Sequence, residues 1–337
     1  GFIDRLAALA GEYFGSIAAL AGAGYKMEIN LAGFYQRHLA PTLGGSHLPL
    51  LAGFDLAPDP NRQAIASLDW SQEPMEASAQ RPEATHARVV ETRLAAERAA
   101  EDVLAPSPRR LAAFRRLLAD AQHLVPIREE QVAELTLAWP VMRRAVLRIG
   151  QGLVERGSIG DVDDVFFLTR DEVLERIGHG SGGSRIDVAP RRALRAEQAR
   201  LVPPLLVGRL NPMMRRLWDS FPRMLGARPS ANAIVSGSPA SAGRATGAVR
   251  VILGPDEFGS LQEGEILVAP LTAPAWTPLF RKAAAVVTDV GSPAAHASII
   301  AREFGIPAVV GCGDATTRLR TGMRVTVDGA TGNVEPV

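Results

Sequence analysis

Thr288–Glu303 reads TDVGSPAAHASIIARE, and this stretch decides the fold of the C-terminal part of the chain. Ser292 is a good helix N-cap, Pro293 suits a first helical position, and Gly305 followed by Pro307 stops a helix, so the stretch predicts a capped helix. His296 falls in its first turn. The preceding run, Ala283–Val287, is apolar and rich in small and β-branched residues, which gives the order buried strand, glycine turn, helix. Ala297, Ile300, Ala301 and Phe304 fall at i, i+3, i+4 and i+7 and form the expected buried stripe, with the His296 ring near the helix mouth. Unpaired N–H groups at a helix start, together with the macrodipole, favour a dianion, which is what a phosphorylated histidine presents. Position alone leaves two readings: a polar residue in a first turn, or a nucleophile.

Working outward, Gly247–Leu253, Glu265–Ala269, Ala308–Gly311 and Arg324–Asp328 are further strand candidates separated by glycine turns. Together they predict a compact α/β domain over 244–337. Pro222–Pro229 and the run SGSPASAG, Ser236–Gly243, change the composition and are read as a hinge over 229–243. Residues 1–228 read as mainly helical, so the fold class is α + α/β. Thr85–Leu104, Pro108–Leu124 and Ile127–Glu155 carry helical spacing, the last with Pro140 as a kink. Val165–Thr169, VFFLT, reads as a strand or extended edge before a helix near Arg170. The stretch Gly178–Ser184 reads as a surface loop, because it lacks the strand and lysine of a phosphate-binding loop.

Composition sets outer limits. The chain is 47% hydrophobic and 22% charged, an ordinary globular balance, and 37 basic residues against 36 acidic ones leave no basic tract for nucleic acid. The apolar stretch Tyr13–Tyr25 is too short to span a bilayer and reads as a packed helix. No secretory signal is evident, and Cys312, the single cysteine, suits a reducing cytoplasm and reads as a buried structural thiol. Because the chain opens on Gly1, we expect a piece of something larger, incomplete at the N-terminus of its helical domain. His38, His47, His86, His123 and His179 lack metal-ligand spacing, so no metal site is expected and these histidines are assigned structural or surface roles.

Four stretches, ILVAPLTAPAWTPLF (Ile266–Phe280), VVTDVGSPAAHASIIARE, GIPAVVGCGDAT (Gly305–Thr316) and LRTGMRVTVDGATG (Leu319–Gly332), resemble the mobile, swivelling phosphohistidine domain of phosphoenolpyruvate-utilising enzymes. That family includes phosphoenolpyruvate synthase, pyruvate phosphate dikinase and rifampin phosphotransferase. Its phosphorylated histidine falls on His296. The resemblance makes the helix start at Gly291 and Ser292 the candidate phosphate cradle. The sequence also departs from the family pattern: Ser292 stands for the usual second glycine, and Ala294 and Ala295 stand where Ser, Thr or Cys is common. Ala294 cannot accept the regulatory phosphate that dikinases carry there, and Ala295 removes one donor, leaving backbone amides as the cradle.

The helical part resembles the latter portion of the substrate-binding domain of rifampin phosphotransferase-like proteins, through REE at Arg128–Glu130 and GSIGDVDDVFFLTRDEV at Gly157–Val173. A helical domain followed by a terminal histidine domain is that group's order. The resemblance implies transfer of a phosphoryl group from ATP through His296 to a small-molecule acceptor. ATP and Mg²⁺ would sit on an ATP-grasp domain, in cis or in trans, and this chain is expected to hold no cofactor of its own. Arg128, Arg143 and Arg144 are candidates for gripping the acceptor. Two other classes remain open: a ligase that uses the phosphohistidine to drive condensation, and a carrier module that depends on a partner.

Overall fold

The structure, a computed structural model, describes residues 19, 22–24, 26–54, 63–65, 71–76, 83–136, 138–178, 184–198, 201, 211–212, 230–293 and 295–337. Most of Tyr13–Tyr25, the Gly178–Ser184 loop and Pro222–Pro229 lie outside the described residues.

The first unit is helical. Its helices are α1 (26–38), α2 (Ala40–Leu43), α3 (Glu83–Leu104), α4 (Pro108–Thr136), α5 (Trp139–Glu155), α6 (Arg170–Gly178) and α7 (Ala189–Gln198), with a two-stranded ribbon, β1 (Gln63–Ile65) and β2 (Pro74–Glu76). Leu31, Phe34 and Leu39 of the N-terminal helices meet Leu50 and Leu51, Ala100 and Leu104 of α3, and Phe114 and Leu118 of α4 in one core. The expected break after Leu124 is absent, because α4 runs through Pro126 to Thr136. Pro140 does not kink a long helix either. It occupies the first turn of α5, where its missing N–H has no intrahelical acceptor to lose.

Val165–Thr169 also corrects the sequence reading. Val162–Phe167 forms a 3-10 turn, not a strand, capped by Asp161, whose side chain accepts from the Asp163 amide at 2.9 Å. The Asp164 carboxylate accepts from the Asp161 amide at 2.9 Å in return. That reciprocal cap outweighs the β-propensity of Val165, Phe166 and Phe167. The helix expected near Arg170 follows as α6.

The second unit is an α/β domain on an eight-stranded mixed sheet of order β3-β10-β9-β5-β6-β7-β8-β4. Its strands are β3 (Val235–Ser236), β4 (Ser238–Ser241), β5 (Arg244–Val251), β6 (Ile266–Ala269), β7 (Ala285–Thr288), β8 (Ala308–Val310), β9 (Arg324–Asp328) and β10 (Asn333–Pro336). Its helices are α8 (Thr277–Lys282), α9 (His296–Phe304) and α10 (Ala315–Arg318). Strands β5 to β8 are parallel, joined by α8 between β6 and β7 and by α9 between β7 and β8. Alternation along the strands feeds two cores. Ile266 and Val268 pack on one face with Val287 and Val309, while Leu267 and Ala269 face Phe280, Ile300 and Phe304 on the other. Burial on both faces is why these strands read as continuous apolar runs.

Part of the stretch expected to be a hinge, 229–243, is strand instead. Val235–Ser236 and Ser238–Ser241 are the two outer strands of the sheet, paired to β10 and β8. Their Ser, Gly and Pro content mimics a linker, but short edge strands tolerate those residues. Asn333–Pro336, unassigned in the sequence, supplies β10. Among the described residues no helix is long and apolar enough to cross a membrane.

Candidate functional site

Parallel strands put the connecting loops at their C-terminal ends together, and ligands in such sheets bind at that edge. The turn between Thr288, the last residue of β7, and His296 lies there. It approaches the loop after β8 so closely that side chains are excluded: a Cβ on Gly291 would sit 3.0 Å from Val310 Cβ, and one on Gly311, at φ 68°, 2.8 Å from the Gly291 carbonyl oxygen. The Cys312 amide donates to the Thr288 carbonyl at 3.0 Å and the Gly313 amide to the Asp289 carbonyl at 2.9 Å, pinning the two loops together. Burial, with Asp289 and Asp314 adding, holds the Cys312 thiol well above its ordinary range, so it is an inert part of this packing.

The helix starts later than the sequence suggests. His296 is the first residue of α9, Ala295 occupies the N-cap position with no side-chain cap bond, and Ser292 lies in the turn before it. Ser292 contributes its carbonyl instead, accepting from the Ala295 amide at 2.8 Å and the Ser298 hydroxyl at 2.6 Å. A tight turn closed by Ser298 thus replaces a side-chain cap. The helix ends as expected at Gly305 in the left-handed conformation. His296 stands edge-on to the Phe280 ring, with centroids 6.2 Å apart at 80°, and Phe280 is fully buried. That contact limits ring tilt and leaves the imidazole at the positive end of the helix.

The stripe of Ala297, Ile300, Ala301 and Phe304 is buried against the sheet, but every residue from Ala297 to Phe304 is buried. The far face is covered by the helical unit, chiefly α3 and the Leu48–Leu51 turn. Arg302 donates through Nε to the Ala240 carbonyl at 2.7 Å, and through Nη2 to the Pro293 carbonyl at 2.6 Å and Glu28 Oε1 at 2.9 Å. Glu303 Oε1 accepts from the amides of Gly53 and Phe54 at 2.9 and 3.0 Å. Burial would raise the Glu28 carboxyl, yet the Arg302 charge and the His47 contact outweigh it and hold it below its usual range. His47 is fully buried, with Nε2 3.6 Å from Glu28 Oε1, which fits the structural role expected for it.

Of the acceptor candidates, Arg143 is buried and Arg144 is exposed on the next position of α5. The side chain of Arg128 lies outside the described residues. Arg143 donates to the Ser71 carbonyl at 2.5 Å, stacks over Phe166 at 5.1 Å, and has Glu73 and Asp163 carboxylates at 3.8 and 3.9 Å. It lines a cleft of about 1120 Å³ whose apolar wall includes Val146, Ile149, Phe166 and Leu174, with Glu73, Asp163, Arg170 and Arg195, and Asp256 of the α/β domain, among its charged lining. His296 and Arg143 are not brought together: His296 does not line that cleft. Sequence reading missed Glu28, Ser71 and Phe166, whose roles depend on contacts distant in sequence. Arg302 and Glu303 carried the one available signal, two adjacent charges on a helix with an apolar stripe. Among the described residues no group of His, Cys, Asp or Glu is placed to hold a metal ion.

A histidine opening a helix behind a parallel strand, fixed by paired loops, is the pattern to compare with known proteins. Residues 261–332 match the family model described as PEP-utilising enzyme, mobile domain. The match to this mobile domain contains His296 and both loops that hold it. The chain is similar to an uncharacterised phosphotransferase, YvkC, of Bacillus subtilis, 35% identical over 57% of this chain and 23% of that protein. It is also similar to a rifampicin phosphotransferase of Streptomyces sviceus, 35% identical over 58% of this chain and 21% of that one. A phosphoenolpyruvate synthase of Aeropyrum pernix is 50% identical over 32% of this chain and 13% of its own length. The matched region therefore spans under a quarter of the length of these relatives.

Proposed function

We propose that His296 is a phosphoryl carrier between an ATP-grasp domain, in cis or in trans, and a small-molecule acceptor held by the helical unit. The observation that carries this reading is the seat of His296, the first residue of α9, at the C-terminal edge of the parallel strands and within the matched mobile domain. A neutral imidazole nitrogen forms the N–P bond to the β-phosphorus of ATP while the bond to the α-phosphate oxygen breaks and AMP leaves. Water takes the γ-phosphoryl as inorganic phosphate. An acceptor hydroxyl then forms an O–P bond as the N–P bond breaks, and its proton passes to solvent or a base. Helix N–H groups and the macrodipole stabilise the dianion on the carrier, a contribution of the order of 1 kcal/mol at an exposed terminus. Mg²⁺, bound with ATP on the other domain, would offset the charge that develops on the phosphates.

The acceptor site in this reading is the Arg143 cleft. Its large apolar wall and the stacked Arg143–Phe166 pair, with charged groups of both signs around it, suit a large, mainly apolar molecule that bears a hydroxyl. Rifampicin phosphotransferase is named for an acceptor of its own; which molecule this chain takes is tested by product analysis. The chain supplied with an ATP-grasp domain, ATP and candidate hydroxyl compounds should yield AMP, phosphate and a phosphorylated acceptor. A condensed product in place of a phosphate ester would instead make it a ligase. Label that stops on the protein with every acceptor, and passes only to another protein, would make it a carrier module.

A further inference from the structure

We propose that Arg302 is a positioning residue for His296, tying the turn that presents the histidine to contact with the helical unit. Arg302 is 3% exposed, and its guanidinium serves three partners at once: the Ala240 carbonyl on edge strand β4, the Pro293 carbonyl three residues before His296, and the Glu28 carboxylate of the helical unit. The last two share one nitrogen, Nη2. A displacement of Glu28 is therefore felt directly at Pro293.

The neighbouring contact closes the same interface from the other side. Glu303, also 3% exposed, takes the amides of Gly53 and Phe54, and that segment is held from behind by Arg93 of α3, which donates to the carbonyls of Ala52 and Gly53 at 3.3 Å and lies 5.0 Å over the Phe54 ring. Glu28 and Arg302 are 274 residues apart in sequence, and Gly53 and Glu303 are 250 apart, so both contacts bind one unit to the other. A buried charge stripped of its partner is strongly destabilising. Separation of the units therefore carries Arg302 toward water and releases its hold on Pro293. Docked and undocked states then differ at the His296 turn, and contact with the helical unit holds that turn in the geometry described above. This role rests on His296 being the phosphoryl carrier, whereas the coupling itself is measurable without nucleotide.

Residue-resolved amide exchange by NMR on the 337-residue chain tests it. In Glu28→Gln and, separately, Glu303→Gln, the amides of Gly53 and Phe54 and those of the turn, Ala295 and Ser298, should exchange faster together by about tenfold or more. Leu267 and Val268, inside the sheet, should keep wild-type protection, which reports that the domain is folded. Arg302→Lys keeps the charge but loses the fork, so it should show the same joint acceleration. It decides the matter if either glutamate variant loses Leu267 protection. Unchanged Ala295 and Ser298 beside accelerated Gly53 and Phe54, or no acceleration at either place, overturns the proposal. His296→Ala should leave exchange at Gly53 and Phe54 at wild-type rates, so failure of the carrier reading and failure of the coupling are separate results.

Discussion

His296 and Arg143 depend on different surroundings. His296 opens a helix, where the macrodipole favours a dianion, but its Nε2 is buried in the docked arrangement. Arg143 is buried, and its charge is balanced by Glu73 and Asp163 while its plane lies on Phe166. An arginine so occupied shapes an apolar cleft more than it attracts an anion. Arg143→Ala should therefore leave phosphorylation of His296 intact and slow transfer to the acceptor. A transfer rate reduced by about tenfold would correspond to roughly 1.4 kcal/mol of lost transition-state stabilisation. Comparing single-turnover rates of the two half-reactions checks it, and an equal fall in both would assign Arg143 to folding alone.

Helix α9 and its two flanking strands were largely legible, because a buried parallel strand, a glycine turn and an amphipathic helix each have a distinct period in sequence. The helix start was misplaced from Ser292 to Ala295, since the Ser298–Ser292 bond that closes the turn joins side chain to backbone and leaves no trace in residue type order. The Val162–Phe167 turn was misread for a related reason: a local carboxylate cap defeats propensity. The adjoining α6 gives a pH test. Hydrogen bonds from Arg191, and then from the Thr169 amide, lower the Glu172 carboxyl from 4.5 to about 2. A carboxyl depressed in the folded state adds stability that is complete above its unfolded value and lost as pH falls through the folded one. Acid titration should therefore weaken this region between about pH 4.5 and 2, and Glu172→Gln should flatten that part of a stability–pH curve measured by chemical denaturation. A curve of unchanged slope over that window would show that the Arg191 pair contributes nothing there.

At the scale of the molecule, the order helical unit then α/β domain was readable from composition and periodicity. The contact between them was not. Only the fold brings Glu28, Gly53 and Phe54 onto Arg302 and Glu303. The boundary was missed too, because the Ser/Gly/Pro run over 236–243 builds edge strands and the turn between them and β5. The two units thus form a docked pair in which the histidine-bearing helix is clamped between its own sheet and the helical unit. A carrier must leave such a station to be recharged, so the account stands or falls on whether His296 carries the phosphate. The direct measurement is incubation with β-labelled ATP, with the chain supplied with an ATP-grasp domain and, as a control, alone. An acid-labile, base-stable label should appear on His296 in the first case, none in His296→Ala, and none on the chain alone. Label that persists in His296→Ala would contradict the carrier role.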